Sequence, residues 1–289
     1  MDQDTSSTKI ENKNDCSLIL FLATPTEEQG LKSAADSLGI KYETIKRKVS
    51  PFGEEYLWFG RVGNEIVIAF SPPRIQGRIV MGASGYLGTA ARGMRLRVAT
   101  GAQGIVQLGM AFGIDPEMQS PGDVLVSTAI VPYDTREVKA IKRSLVSRRL
   151  FGESYFTDYS RAIHEEASES LVGLFKRIGL KCRGDYGLHF GAVLSGAALI
   201  GSMRFRDELV RHVPRGSEEI VGGEMEGVGL LAASSAHGEP VWCIVKGISD
   251  FADGNRSGDS DAYRLLACRN AADFVLRSLL MDARDEQSE

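Results

Sequence analysis

Short apolar runs that alternate with helical stretches are the feature of this sequence that most restricts its fold. The strand-like runs are SLILFLA (17–23), GIVQLGMAFGID (104–115), GDVLVSTAIVPYD (122–134), YGLHFGAVLSG (186–196) and PVWCIVKGIS (240–249). Several of them lack polar alternation, which is typical of strands buried on both faces. The sequence therefore predicts an α/β fold, with a single-domain mixed β-sheet flanked by helices on both faces.

The pattern also gives boundaries for the domain and its elements. EEYLWFGRVGNEIVIAFS (54–71) predicts a hairpin around a Gly-Asn pair. The segment TPTEEQGLKSAADSLG (24–39) begins with turn residues and continues as a helical pattern that ends at Gly39. Helices are also expected over 76–97, 160–178, 202–212 and 260–281, and at EMEG (224–227). Residues 1–16 are polar and predict a disordered lead-in, residues 17–281 form one domain, and residues 282–289 form a polar tail.

Composition excludes several classes of function. A net charge of −4 gives no general electrostatic reason to bind nucleic acid or an anionic membrane. No apolar run reaches the roughly 20 residues that cross a bilayer. The four cysteines and four histidines are scattered, without the spacing of a metal site. The polar N-terminal segment has the pattern of neither a signal peptide nor an anchor, so a cytoplasmic location is expected. The scattered cysteines indicate reduced thiols.

Carboxylates stand at unusual places beside apolar segments. Glu224 and Glu226 open the apolar run GGEMEGVGLLAASSA (222–236), and Asp250 and Asp253 follow the strand-like run that ends at Ser249. Buried carboxylates are costly unless they are paired or used. They either cap a helix or point into a site, and we expect carboxylates from separate segments to converge on one pocket. Glu224 fits an exposed, first-turn position.

Several of these motifs together resemble one known family. EMEGVGLL, VKGISDFADG, GMAFGID, GDVLVS and VLSGAALIGS are similar to the motifs of the nucleoside phosphorylase/nucleosidase superfamily, and they occur in its order between residues 18 and 280. That superfamily includes purine nucleoside phosphorylases and methylthioadenosine/S-adenosylhomocysteine nucleosidases. The wording of GEMEGVG and VKGISDFADGN is closest to a branch that resembles bacterial antiphage effectors, some of which cleave ATP at its glycosidic bond.

The resemblance implies roles for particular residues. Cleavage of a purine–ribose bond needs an acid at the purine N7, acceptors for the ribose hydroxyls and a nucleophile on the opposite face. Asp250 matches the acid, and Ser249 matches the neighbour that orients it. Glu226 matches the ribose-binding glutamate, with Met225 packing on the sugar. The alternative is that Ser249 and Asp250 cap the following segment.

The nucleophile is assigned from the segment TPTEEQ (24–29). Glu28 aligns best with the water-activating glutamate of the nucleosidases, and Glu27 is a close second because a shift of one residue in this loop would place it there. Phosphorylases carry a Gly-Asp-x-x-Arg phosphate loop here, so its replacement favours hydrolysis. A phosphorylase that uses phosphate and a non-catalytic nucleotide-binding module remain the alternatives.

Other positions match the family only in part. The backbone N–H groups of Ala111 and Phe112 are expected to face the nucleophile and the ribose. Leu199 stands where family members often stack an aromatic ring on the base, and Phe251 is a substitute ring or a core residue. Ala197 replaces an aspartate of the family motif.

Three basic features could meet an anion. Lys246 stands where nucleosidases have an arginine, and Arg74 follows a strand at an anion-binding position of the family. The segment 134–149 has six basic and two acidic residues and fits nucleotide phosphates, a solvated helix face or a subunit contact.

The resemblance also implies what the protein works with. It implies a small-molecule purine nucleoside or nucleotide as substrate, no metal and no organic cofactor. Homo-oligomers are usual in this superfamily, and the resemblance to defence effectors adds a regulatory partner protein as an expectation.

Overall fold

The computed structural model describes residues 16–47, 54–71, 74–75, 78–79, 82, 85, 88–141, 155–181, 184–214, 216, 218–234, 241–254 and 260–286. These residues form six helices, which we number in chain order: α1 (Pro25–Ser37), α2 (Thr89–Thr100), α3 (Glu169–Gly179), α4 (Met203–His212), α5 (Gly227–Ser234) and α6 (Ser260–Glu286).

The same residues form fourteen strands, ten of which belong to one sheet. The strands are β1 (Leu18–Phe21), β2 (Glu43–Arg47), β3 (Glu54–Val62), β4 (Glu65–Phe70), β5 (Arg74–Ile75), β6 (Arg78–Ile79), β7 (Gly104–Gly113), β8 (Val124–Pro132), β9 (Glu137–Ala140), β10 (Tyr155–Asp158), β11 (Glu165–Glu166), β12 (Leu188–Ser195), β13 (Ile220–Glu224) and β14 (Val241–Asp250).

The large sheet is mixed and partly closed on itself. Its order is β11-β8-β12-β13-β7-β1-β4-β3-β2, and β14 pairs with both β7 and β8. β14 runs parallel to β7 and antiparallel to β8, so β7, β14, β8, β12 and β13 form a closed ring of strands. Closure of this ring brings the carboxyl ends of β7, β13 and β14 into one region of the molecule.

Helices cover both faces of the sheet. One apolar layer joins α1, α3 and α6 to the sheet through residues such as Leu31, Phe175 and Phe274. The opposite layer joins α2 and α5 to the sheet through Leu96 and Leu230. The predicted fold class, a single-domain mixed sheet with helices on both faces, is therefore confirmed.

Several predicted elements differ from the structure. The expected helix over 76–97 begins only at Thr89, with short strands β5 and β6 before it, because the glycines that precede Gly88 include two with positive φ, Gly82 and Gly85. The helix expected over 160–178 begins after its N-cap Ser168. The hairpin around the Gly-Asn pair is present as β3 and β4.

The two ends of the predicted domain also differ in part. Residues 1–15 lie outside the described residues. Residues 282–286, assigned to a polar tail, continue α6, where Asp282 pairs with Arg177 of α3 and Asp285 pairs with Lys181, just after α3. Among the described residues, none of the six helices has both the length and the apolar character needed to span a bilayer.

The crossing of β14 and α6 generates a prediction about stability. A Cβ atom on Gly247 would overlap the backbone of Ala267 in α6. We expect Gly247→Ala to lower the free energy of unfolding by about 2 kcal/mol, because the helix must move away from the strand. Gly173 in α3 faces open space, so Gly173→Ala should raise it by about 0.5–1 kcal/mol. Urea denaturation measures both, and a fully stable Gly247→Ala variant would contradict the close crossing.

Candidate active site

Glu27 is held at the start of α1 by a capping box. Thr24 is the N-cap, and its hydroxyl accepts a hydrogen bond from the Glu27 N–H at 3.3 Å. Oε2 of Glu27 accepts the N–H groups of Ala23 and Thr24 at 2.5 and 2.9 Å. The residue is 3% exposed, so its carboxyl group enters the interior. Its other oxygen, Oε1, lies against Gly109 of β7, where a Cβ atom would collide with it.

Glu28, which the sequence favoured for water activation, points elsewhere. Its carboxylate pairs with Lys32, one turn along α1, and it is only half-buried. Consecutive residues of an α-helix are rotated by about 100°, so Glu27 and Glu28 cannot share one direction. The carboxyl group that reaches the interior therefore belongs to Glu27 and not to Glu28.

Lys246 joins two further carboxylates in the interior. The side chain of Lys246, on β14, is 1% exposed, and its Nζ donates to Oε2 of Glu226 at 2.7 Å and to Oε2 of Glu224 at 3.1 Å. Oε1 of Glu226 accepts the N–H of Gly82 at 3.3 Å. The structure therefore places Glu226 and Lys246, two of the predicted site residues, in direct contact, and Glu27 interacts electrostatically with both. We call Glu27, Glu224, Glu226 and Lys246 the charged cluster.

Glu224 differs from its predicted exposed position. It ends β13 rather than starting a helix, and its carboxylate accepts the N–H groups of Glu226 at 2.8 Å and of Gly227 at 2.9 Å. These bonds close the turn that leads into α5. Glu224 therefore caps the turn and holds Lys246 at once. The two explanations for buried carboxylates, a cap and a site, both apply in this segment.

The pKa values of Glu27 and Glu226 are shifted in opposite directions. Burial raises the pKa of Glu27 from its ordinary 4.5 to about 7; attraction to Lys246 opposes the shift and repulsion from Glu226 adds to it. Burial also acts to raise the pKa of Glu226, but the paired Lys246 overcomes it and leaves that pKa lowered. Burial disfavours the charge on Lys246, but the three carboxylates raise its pKa. Glu27 therefore changes charge near neutral pH.

Asp250 is clamped at the carboxyl end of β14. Its Oδ2 accepts a hydrogen bond from the Ser249 hydroxyl at 2.8 Å, and its Oδ1 accepts the N–H of Ala252 at 2.9 Å. Ala252 has φ 54°, the one positive φ of a non-glycine residue in the described ranges. Such a conformation costs about 1–2 kcal/mol and persists where surrounding contacts enforce it. Ser249 and Ala252 fix the direction of the Asp250 carboxyl group.

Phe112 of β7 lies between the strand that carries Asp250 and the strand that ends at Glu224. It pairs with Asp250 across β7 and β14 and with Gly223 across β7 and β13. The ring of Phe112 occupies the space where Gly223 lacks a side chain, which lets the strands approach closely. Ala111, the other predicted contact, accepts a hydrogen bond from the Ser249 hydroxyl through its carbonyl at 3.2 Å. The glycine-rich end of β7 therefore lies between Asp250 and the charged cluster.

The loop after β12 is held by residues that the sequence did not single out. The Tyr133 hydroxyl donates to the Ala198 carbonyl at 3.0 Å, and Asp134 accepts the N–H of Ala197 at 2.7 Å. In the neighbouring loop after β14, the Phe251 carbonyl accepts a hydrogen bond from the buried Arg206 of α4 at 2.6 Å. Only proximity in space relates these partners, which are 45 to 65 residues apart, so no local motif could have revealed them.

The remaining predicted contacts fall into different environments. Leu199 is 61% exposed on the loop after β12. Phe251 packs against an apolar cluster that contains Ala111 and Ile248, consistent with a core position rather than an open ring face. Met225 is half-buried in the turn before α5.

The other two basic features, Arg74 and the segment 134–149, lie partly outside the described residues. Arg74 is in β5, but its side chain is not among the described ones, and neither are residues 142–150. The described part of the basic segment forms β9, which pairs with β10, rather than a helix. Across the described ranges, the His, Cys, Asp and Glu side chains form no group of three placed to hold a metal ion.

Comparisons with known proteins point to one family. The sequence model of the phosphorylase superfamily matches residues 17–280. The chain is 27% identical over 184 residues to a death domain-containing ATP nucleosidase of Amphimedon queenslandica. That alignment covers 61% of this chain and 33% of the relative, so the chain spans about a third of the length of the relative that it matches.

Solved structures share the fold at low sequence identity. The futalosine hydrolase of Helicobacter pylori strain 26695 has a TM-score of 0.66 and 20% identity, with 94% of this chain and 100% of that chain covered. The 5′-methylthioadenosine/S-adenosylhomocysteine nucleosidase of Neisseria meningitidis, in complex with methylthio-immucillin-A, has a TM-score of 0.66 and 15% identity, with 92% and 99% covered.

The burial of Glu27 predicts how stability depends on pH. Its folded pKa lies above its unfolded value, so the folded state binds the proton more tightly and stability falls as pH rises from about 4.5 to about 7. We expect Glu27→Gln to remove this loss and to be more stable than the unsubstituted protein at pH 8, by up to about 3 kcal/mol, but not at pH 4.

Glu28→Gln is the matched control for that comparison. It breaks only a half-exposed pair with Lys32, so it should change stability by less than about 0.5 kcal/mol at either pH. Chemical denaturation of the two variants at both pH values measures the effect. A larger pH-dependent change in Glu28→Gln than in Glu27→Gln would contradict the assignment of the buried carboxyl group.

Proposed function

Because the chain belongs to the phosphorylase superfamily, as its motifs predicted, we propose that it is an N-glycosidase that hydrolyses the bond between base and ribose in purine nucleosides or nucleotides. One observation carries this proposal: Glu27, an acid with a pKa raised to about 7, is buried beside the ion pair of Lys246 and Glu226. Perturbed acids among converging charges are typical of catalytic sites.

The proposed reaction assigns one task to each group. The bond between the sugar carbon C1′ and the base nitrogen breaks, and its electron pair leaves with the base. Asp250, directed by Ser249 and Ala252, gives a proton to N7 of the departing purine. A water oxygen bonds to C1′ on the opposite face and gives its proton to Glu27. The products are the free base and a sugar with a hydroxyl group at C1′.

The charged cluster is suited to the charge that develops on the sugar. Glu226 accepts the ribose hydroxyls, and Lys246 holds it in place. The cluster has three carboxyl groups and one lysine, so ionisation of Glu27 adds negative charge beside the sugar. Preorganised negative charge stabilises a sugar that becomes positive as the bond breaks.

The same charges favour water over phosphate as the nucleophile. A phosphate ion next to Glu27 would face three carboxylates, and the cation between them, Lys246, already pairs with two. Like charges in a buried site repel strongly because the surroundings screen them poorly. A neutral water molecule avoids this repulsion and can be deprotonated by Glu27.

An adenine nucleotide is the proposed substrate class. The relative in Amphimedon queenslandica carries the name of an ATP nucleosidase, and the motif wording resembles that of antiphage effectors. We therefore include ATP cleavage in antiviral defence in the proposal, with activity that a partner protein controls in a homo-oligomer. Three buried free cysteines, Cys16, Cys243 and Cys268, fit a reducing cytoplasm.

Product analysis tests the reaction class. We expect the purified protein to release the free purine base from at least one member of a panel that contains adenosine, AMP and ATP, with or without phosphate. Chromatography of base and sugar measures this. A sugar 1-phosphate, formed only when phosphate is present, would instead identify a phosphorylase. Absence of base release from every member would favour a nucleotide-binding module.

Substitution of the two proposed proton-transfer groups tests the mechanism. Asp250→Asn and Glu27→Gln should each lower kcat by about 10²–10⁴-fold, because each removes a group that moves a proton in the reaction. Glu28→Gln should retain activity. Since Glu27 must be ionised to accept a proton, kcat/KM should fall below about pH 7. A profile that stays flat down to pH 5, or full activity of Asp250→Asn, would refute these roles.

A further inference from the structure

Gln107 is a buried amide at the middle of β7. It is 0% exposed, and within the described part of the chain neither its Nε2 nor its Oε1 has a hydrogen-bond partner. The backbone of Gln107 pairs with Phe21 of β1 on one side and Ile244 of β14 on the other. A long polar side chain therefore stands between two apolar neighbours in the centre of the sheet.

The strand geometry places this amide beside the charged cluster. Residues two apart in a strand point to the same face, about 6.6 Å from each other. Gly109, two residues after Gln107, is the position against which Oε1 of Glu27 lies. On β14, Lys246 and Ile244 share that face in the same way, and they pair with Gly109 and Gln107 without a break in register. Gln107 is thus the next side chain along the face that carries Glu27 and Lys246.

An amide in this position lowers stability rather than raising it. A buried polar group without a hydrogen bond costs free energy, whereas an apolar side chain of the same shape would have no such cost. Isolated buried polar groups of this kind are commonly bridged by an internal water molecule. We therefore attribute the presence of an amide at position 107 to a molecule that it binds next to Glu27.

We propose that Gln107 and Oε1 of Glu27 together hold the water molecule that attacks the sugar. The inference rests on the proposed N-glycosidase function. One O–H of the water donates to Glu27 and the other to Oε1 of Gln107, which leaves a lone pair of the oxygen free to bond to C1′. As that bond forms and the bond to the base breaks, Glu27 takes the first proton, and the base leaves with its electron pair and a proton from Asp250. Gln107 only holds the second O–H.

Competition between water and methanol tests the proposal. Methanol has one O–H, so it can bind Glu27 or Gln107 but cannot donate to both. The unsubstituted enzyme should therefore form much less methyl riboside than free sugar in dilute methanol. Gln107→Met, which keeps the volume but removes the amide, should raise the ratio of methyl riboside to free sugar on the order of fivefold. It should also lower kcat at least about tenfold.

Controls separate this role from a structural one. The product ratio is set within each turnover, so it does not depend on the fraction of folded enzyme, and Gln107→Leu should shift it in the same direction. Ile105→Met alters the same strand face one position further from Glu27 and should leave the ratio unchanged. Thermal denaturation should show Gln107→Met to be at least as stable as the unsubstituted protein.

The outcomes distinguish this inference from the proposed function. If the unsubstituted protein releases base but Gln107→Met and Gln107→Leu keep its kcat and its product ratio, the role of Gln107 is refuted and the N-glycosidase remains. A shift of the same size in Ile105→Met would also refute the role of Gln107. If the unsubstituted protein cleaves no member of the panel, the N-glycosidase proposal itself fails.

Discussion

The ion pairs of Lys246 are the interaction on which the candidate site depends. Its ammonium group is almost fully buried and is bound by Glu224 and Glu226. Removal of one partner from such a group leaves an uncompensated charge in the interior, which costs several kcal/mol. The ion pairs therefore fix the end of β13, the turn into α5 and the middle of β14 relative to one another. Glu27 enters this arrangement from α1, and its burial raises its pKa even though the charge of Lys246 acts to lower it.

The partly closed sheet makes that convergence possible. An open sheet would place β14 beside one neighbour at an edge, but here β14 lies between β7 and β8 and closes a ring. The glycines of β7 and β13 let side chains of adjacent strands occupy backbone space, as Phe112 does against Gly223. The carboxyl ends of three strands, with the acids that follow them, are held together by backbone pairing rather than by flexible loops.

Features that lower the stability of the folded state are concentrated around the same site. Glu27 is buried with a shifted pKa, Ala252 has a left-handed backbone conformation, and Gln107 has an amide without a protein partner in the described residues. Each feature opposes stability, and each lies on or beside the strands that carry the candidate catalytic groups. A close-packed sheet with helices on both faces tolerates such costs. Their position supports a catalytic rather than a purely structural role for this region.

Local sequence was sufficient for the elements whose patterns are strong. The apolar runs of β1, β7, β8 and β14, the Gly-Asn hairpin and the alternation with helices led to the α/β class. Ordered motifs around Glu226 and Asp250 led to the family. The glycine-containing segment before α2 and the end of the strand that stops at Glu224 were wrongly predicted to be helical. Helices and strands are hard to distinguish by periodicity over short segments of small residues.

By itself, the sequence determined the fold class, the family and a short set of candidate acids, because these depend on local patterns of burial and on motif order. Tertiary structure decided which of Glu27 and Glu28 enters the interior, that Glu224 is buried with Lys246, and that Tyr133, Asp134 and Arg206 hold the loops beside Asp250. The direction of a carboxylate depends on helix rotation and on charges brought from distant strands. Neither is encoded in the spacing of neighbouring residues.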